Sequence, residues 1–148
     1  MSRAFTMQIR VRYGECDPQD VVFNANYFSY FDLVLTEAWR EAIGPYNDMI
    51  EEHGTDLVVA EAHARFLGPA RFDDVIDVEW RITRLGTTAM TTRIDLSVNG
   101  QPVVEGEMRH VFIDPETKEK KQMPEEIRRA FEPYAAQPTA DSRQPTAD

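Results

Sequence analysis

Apolar and polar positions alternate along five separate stretches of this chain, and one stretch between them repeats at helical spacing instead. Over 6–13, Met7, Ile9, Val11 and Tyr13 face one way, with Gln8, Arg10 and Arg12 opposite, as in a half-buried strand. Over 57–67, Val58, Ala60, Ala62, Ala64 and Phe66 share a face, opposite Glu61, His63 and Arg65. Over 75–84, Ile76, Val78, Trp80 and Ile82 oppose Asp77, Glu79, Arg81 and Thr83. Over 88–98, Met90, Thr92, Ile94, Leu96 and Val98 oppose Arg93 and Asp95, and Asn99-Gly100 then marks a tight hairpin. The last strand, 102–113, sets Val104, Met108 and Phe112 against Glu105, Glu107 and Arg109. Its outer face also holds Val103, Val111 and Ile113, which predicts a second subunit over that face.

The helical stretch follows the first strand. Asp17-Pro18 signals a turn, Val21-Val22-Phe23 is a short apolar run, and either Asn24 or Asn26 can cap a helix. Apolar residues then recur at Tyr27, Phe31, Val34, Leu35, Ala38 and Ala42, up to the stop signal Gly44-Pro45. Some 18 residues of helix span about 27 Å. Phe28, Leu33, Trp39 and Ile43 widen the apolar side, which predicts a helix enclosed on several sides. Residues 46–53 read as a short helix or turn, and Pro124 opens a short amphipathic helix through Phe131. Five half-apolar strands and one broadly apolar helix predict an α+β fold, its antiparallel sheet curled around the helix.

At 148 residues this is one domain, expected over 1–135. The tail, 136–148, carries QPTAD twice and is expected to be disordered. Apolar content of 42% and charged content of 28% read as soluble and globular. A net charge of −10 argues against nucleic acid as a partner. A single cysteine, Cys16, suits a reducing compartment. With no long apolar run and no leader-like start, the expected location is cytoplasmic, without membrane insertion.

Asp17 stands seven residues before Asn24, close to the positive end of a helix dipole and its unpaired N–H groups. That is a place for carbonyl chemistry. The segment RVRYGECDPQDVVFNANYFSYFD, supported by FLGPARFDD at 66–74 and HVFIDPETKEKKQMPEEIR at 110–128, resembles the hotdog-fold acyl-CoA thioesterases of the 4-hydroxybenzoyl-CoA thioesterase-like branch. The similarity covers roughly residues 6–133. It implies a homodimer or homotetramer that hydrolyses a thioester at a subunit interface, with acyl-CoA or acyl carrier protein as the substrate carrier and no cofactor. It also implies that Asp17 is the nucleophile or general base and that the Asn24 N–H polarises the carbonyl. Val22, Phe23, Tyr27, His63 and Arg84 are the expected substrate contacts.

Two positions depart from the family pattern. Asp20 stands where glycine is usual, adding a charge beside the site. The basic run that binds nucleotide phosphates reads Leu85-Gly86-Thr87-Thr88, with only Arg84 nearby. A hotdog module that binds acyl-CoA or acyl carrier protein without hydrolysis is therefore the alternative. A dehydratase needs a histidine in the turn before the helix, where this chain has none. Glu15 reads as solvated, and Cys16, beside an acid, has nothing to activate it. His110 reads as a satisfied core histidine, and no His/Cys/Asp spacing suggests a metal.

Overall fold

A computed structural model describes residues 3–135; the tail at 136–148 lies outside them. Five strands, β1 (Phe5–Arg10), β2 (Asp56–Phe66), β3 (Val75–Leu85), β4 (Ala89–Val98) and β5 (Gln101–Ile113), pair antiparallel in the order β1-β3-β4-β5-β2. The long helix α1 (Asn26–Ala42) packs against the sheet through Tyr27, Tyr30, Phe31, Val34, Leu35, Ala38 and Trp39, all buried. Ile76, Val78, Trp80 and Ile82 of β3 and Met90, Ile94 and Leu96 of β4 are buried in the same core, as the alternation predicts. At the middle of β5, Gly106 lets the Phe31 ring lie against the sheet backbone, where a Cβ would meet ring carbons Cε1 and Cε2 at 2.9 Å and Cζ closer still. The short helices α2 (Tyr46–His53) and α3 (Glu125–Phe131) close the far end, with the Phe131 ring 5.0 Å from that of Trp39. No helix of the described residues is long and apolar enough to cross a membrane.

Several expectations change. β1 ends at Arg10, because the Val11 amide bonds to Asp74 O (2.9 Å) and the chain then tightens into a 3₁₀ turn at Tyr13–Glu15. Tyr13 is consequently 80% exposed instead of inward-facing, its ring edge-on to Phe72 at 5.6 Å. Neither asparagine caps α1 with its side chain; the backbone carbonyl of Asn24 accepts from the Tyr27 amide. Phe28 and Leu33 stay partly exposed, so α1 is covered on fewer sides than the pattern suggests.

In β2 the register slips between Val59 and Glu61, and the bulge exchanges the two faces of the strand. Leu57 and Val59 pair opposite Phe112 and His110, whereas beyond the bulge Ala62, Ala64 and Phe66 pair opposite Met108, Gly106 and Val104. Strict alternation from Val58 to Phe66 therefore fails. Val103, Val111 and Ile113 are buried within one chain, the last two beside Ala89 in a second small cluster, so they supply no reason for a subunit there. The exposed apolar edge is β2 instead, where Val58, Val59 and Phe66 stand in the open beside an unpaired strand edge. Asn99 and Gly100 both take positive φ, 49° and 80°, which is the hairpin their sequence predicts.

Candidate active site

The loop that carries Asp17 is closed by a bridge between Cys16 and Val22. Within it, the Asp17 amide donates to Val21 O and the Asp20 amide to Asp17 O, each at 2.9 Å. The Gln19 amide donates to Asp17 Oδ1 at 2.8 Å, the side-chain turn that an aspartate before a proline favours. Asp20 occupies the left-handed region at φ 64°, a backbone position at which glycine pays no steric cost. The Val22 amide then ties the loop to Ala70 O at 2.8 Å.

This closure leaves several loop groups without a hydrogen-bond partner among the described residues, the Val21 amide among them. Asp17 Oδ2 and the Asn24 N–H have no hydrogen-bond partner among the described residues. Both residues line a cleft of about 440 Å³, together with Val22, Tyr27, Phe66 and Gly68. The Tyr27 and Phe66 rings form one wall, 5.8 Å apart, and burial pushes the Tyr27 phenol up to about 12, so it stays protonated and available as a donor. A carboxylate and a free N–H at a helix start can serve an acyl transfer, one as base or nucleophile and the other as oxyanion donor.

Glu15 holds this arrangement from behind, a role that sequence reasoning missed. It is not a solvated residue: its side chain is only 15% exposed. Oε1 accepts from the Arg12 amide (2.7 Å) and the Tyr30 hydroxyl (2.8 Å), and Oε2 from Arg12 Nε and its guanidinium NH₂ (3.0 and 2.7 Å). Its backbone carbonyl accepts from the Phe23 amide (3.0 Å) and Asn26 Nδ2 (2.8 Å). Burial alone would raise the Glu15 carboxyl, yet the bonds from Arg12 and Tyr30 outweigh it and hold the group below the usual carboxylate range. One residue thus fastens the start of the Asp17 loop to the first two turns of α1. The only local signal was a carboxylate two residues before Asp17, which by spacing alone looks like any surface acid.

One chain brings together Asp17, Asn24, Val22 and Tyr27. Phe23 lies outside the cleft wall and is half exposed. His63 sits on the sheet face away from α1, opposite Glu107. Arg84 lies nine residues beyond Val75 on β3, roughly 30 Å along the strand from the end that meets the loop. Desolvation and the neighbouring Asp17, Glu15 and Asp20 push the Cys16 thiol up, away from reactivity. His110 is buried as expected but not satisfied, since its Nδ1 has no partner among the described residues; burial pushes its imidazole down to about 4. Among the described residues, no group of three or more His, Cys, Asp or Glu side chains is placed to hold a metal ion.

Comparison with known proteins gives the family and the fold. Acyl-CoA thioester hydrolase YbgC of Escherichia coli is 26% identical over 124 residues, covering 83% of this chain and 92% of that one. The 4-hydroxybenzoyl-CoA thioesterase of a Pseudomonas species is 30% identical over 81 residues, covering 53% of this chain and 57% of that one. A solved thioesterase-superfamily structure from Jannaschia superposes with a TM-score of 0.85 at 22% identity, over 90% of this chain and 94% of that one, which shows the common hotdog fold. The sequence profile of the thioesterase-like superfamily matches residues 11–131, and this chain belongs to that family.

Proposed function

We propose that the protein hydrolyses an acyl-CoA thioester to the free acid and CoA, with Asp17 and the Asn24 N–H as the reacting machinery. The observation that carries the reading is that Asp17 and Asn24 line one cleft at the start of α1, with no hydrogen-bond partner for Asp17 Oδ2 or the Asn24 N–H among the described residues. The names of the relatives support the same chemistry. Acting as general base, Asp17 takes a proton from water as the water oxygen bonds to the thioester carbon. The carbonyl oxygen gains charge beside the Asn24 N–H. Collapse breaks the C–S bond, and the CoA thiolate leaves and is protonated. Acting as nucleophile, Asp17 forms a mixed anhydride that water then opens. An acyl carrier protein thioester would react in the same way.

The working unit in this reading is a cytoplasmic homo-oligomer. β2 is an edge strand with Val58, Val59 and Phe66 exposed, and it is 11 residues long. Antiparallel pairing of β2 with β2 of a second copy covers this edge and is self-complementary about a twofold axis. Light scattering at micromolar concentration is expected to give at least twice the 17.0 kDa chain mass, and a 17.0 kDa particle refutes the pairing.

Release of free thiol from a panel of short, long and aromatic acyl-CoAs tests the reaction. Asp17→Asn keeps the size and the turn but cannot attack or take a proton, so kcat should fall roughly 10²–10⁴-fold. Near-normal turnover by folded Asp17→Asn protein sinks the assignment. Absence of turnover on every thioester by folded wild-type protein would favour a binding module instead.

A further inference from the structure

Asn26 is a residue type that caps helices, yet its side chain caps nothing in α1. Its Nδ2 instead donates to the backbone carbonyl of Glu15 at 2.8 Å, partly shielded from solvent. The acceptor is a carbonyl, so the amide nitrogen is the atom that must face it. The backbone amide of Asn26 donates to Phe23 O at 2.9 Å, and the Phe23 amide donates to the same Glu15 carbonyl at 3.0 Å. Glu15, Phe23 and Asn26 are thereby joined into a closed ring of hydrogen bonds.

That ring decides where the Asn24 N–H points. A trans peptide unit is planar, with its C=O and N–H directed opposite ways. The unit between Phe23 and Asn24 is trans, and the Asn26 amide holds its carbonyl toward α1. Its N–H is therefore turned the other way, out of the helix start. Asn24 lines the Asp17 cleft, whereas Asn26 lines a separate groove between α1 and β1, beside Gln8 and Arg12. Asn26 can thus act on a substrate in the cleft only through the amide it holds.

We propose that Asn26 is the positioning residue for the oxyanion donor: through Glu15 O and Phe23 O it fixes the peptide plane that aims the Asn24 N–H into the cleft. This rests on the thioesterase reading. Charge develops on the thioester oxygen only on the way to the transition state, so a donor already in place stabilises it without reorganising. A misplacement of about 1 Å in such a group costs up to about 10²-fold in rate. Without the Nδ2 bond, the Glu15 carbonyl keeps its bond from the Phe23 amide and is not orphaned. The chain then still folds, while the plane between Phe23 and Asn24 is free to tilt.

The test compares the wild-type chain with Asn26→Ala and Asn26→Asp; the aspartate keeps the shape but, ionised, presents an acceptor in place of the donor. With the best wild-type acyl-CoA substrate, kcat should fall roughly 10–100-fold in both variants while KM stays within about twofold. A second readout needs no turnover. It uses an acyl-CoA analogue with CH₂ in place of the thioester sulfur, ¹³C-labelled at the carbonyl. On binding wild-type protein the carbonyl carbon should move downfield as the donor polarises it, and in saturated variants the move should be about half as large or less. Unchanged kcat in folded variants, a loss confined to KM, an undiminished shift, or no downfield shift with wild-type protein overturns the proposal. If thioesters are hydrolysed and the variants match wild type, the role of Asn26 falls and the thioesterase reading stands. If no thioester is hydrolysed yet the wild-type shift appears and shrinks in the variants, the positioning stands and the thioesterase reading falls.

Discussion

Replacing Glu15 with glutamine changes one atom and removes the charge on which the Asp17 loop is anchored. The Oε2 bonds to Arg12 become a clash of donors, but Arg12 is 82% exposed, so solvent screens their loss. The Oε1 bonds matter more, because Tyr30 is buried and the Arg12 amide is held at 2.7 Å. Exchanging a charged for a neutral acceptor costs about 1 kcal/mol in each of these two bonds. The two together, about 2 kcal/mol, should lower Tm by roughly 4–8 °C for a chain of this size. Urea unfolding of both proteins between pH 7.5 and pH 3 measures it. The folded Glu15 carboxyl lies below its unfolded value of 4.5, so its stabilisation is complete above that pH. It is then lost as pH falls through the folded value, and the gap between the two proteins should close on acidification. Turnover should fall as well, because Oε1 ties the loop to Tyr30 of α1. A variant as stable as wild type at pH 7.5, or a gap undiminished at pH 3, would refute the network as the anchor.

Gly106→Ala places a methyl group against the end of the Phe31 ring at the centre of the core, and should cost about 1–3 kcal/mol through overpacking; calorimetry that shows no loss would mean the helix can lift from the sheet. Asp20→Gly relieves the left-handed backbone at φ 64° but frees the unfolded chain, two effects of similar size, so stability should change by less than about 0.5 kcal/mol. Removing that carboxylate from the loop should raise kcat/KM, whereas lost activity would make Asp20 a participant in the reaction.

The sequence by itself determined the elements and most of the core. Period-two alternation names the inward residues of β3 and β4, because successive side chains on a strand must point to opposite faces. The turn at Asp17-Pro18 and the hairpin at Asn99-Gly100 were equally legible, being written in residues whose backbone preferences are local. The position of Asp17 seven residues before Asn24, ahead of a helix, was legible in the same way. Only the tertiary structure decided what depends on crossings between distant segments. The bulge after Val59 reverses the faces of β2, and no residue there announces it. Glu15 leaves solvent because Tyr30, fifteen residues on, arrives above it. Arg84 is parted from Asp17 because β3 runs away from the loop for its full length. His110 followed the parity of its strand into the core, but that its Nδ1 would find no partner among the described residues depended on how α1, β2 and β5 meet. Local preference acts within a few residues, whereas burial and hydrogen bonding of a charged group are settled by whatever the fold brings against it.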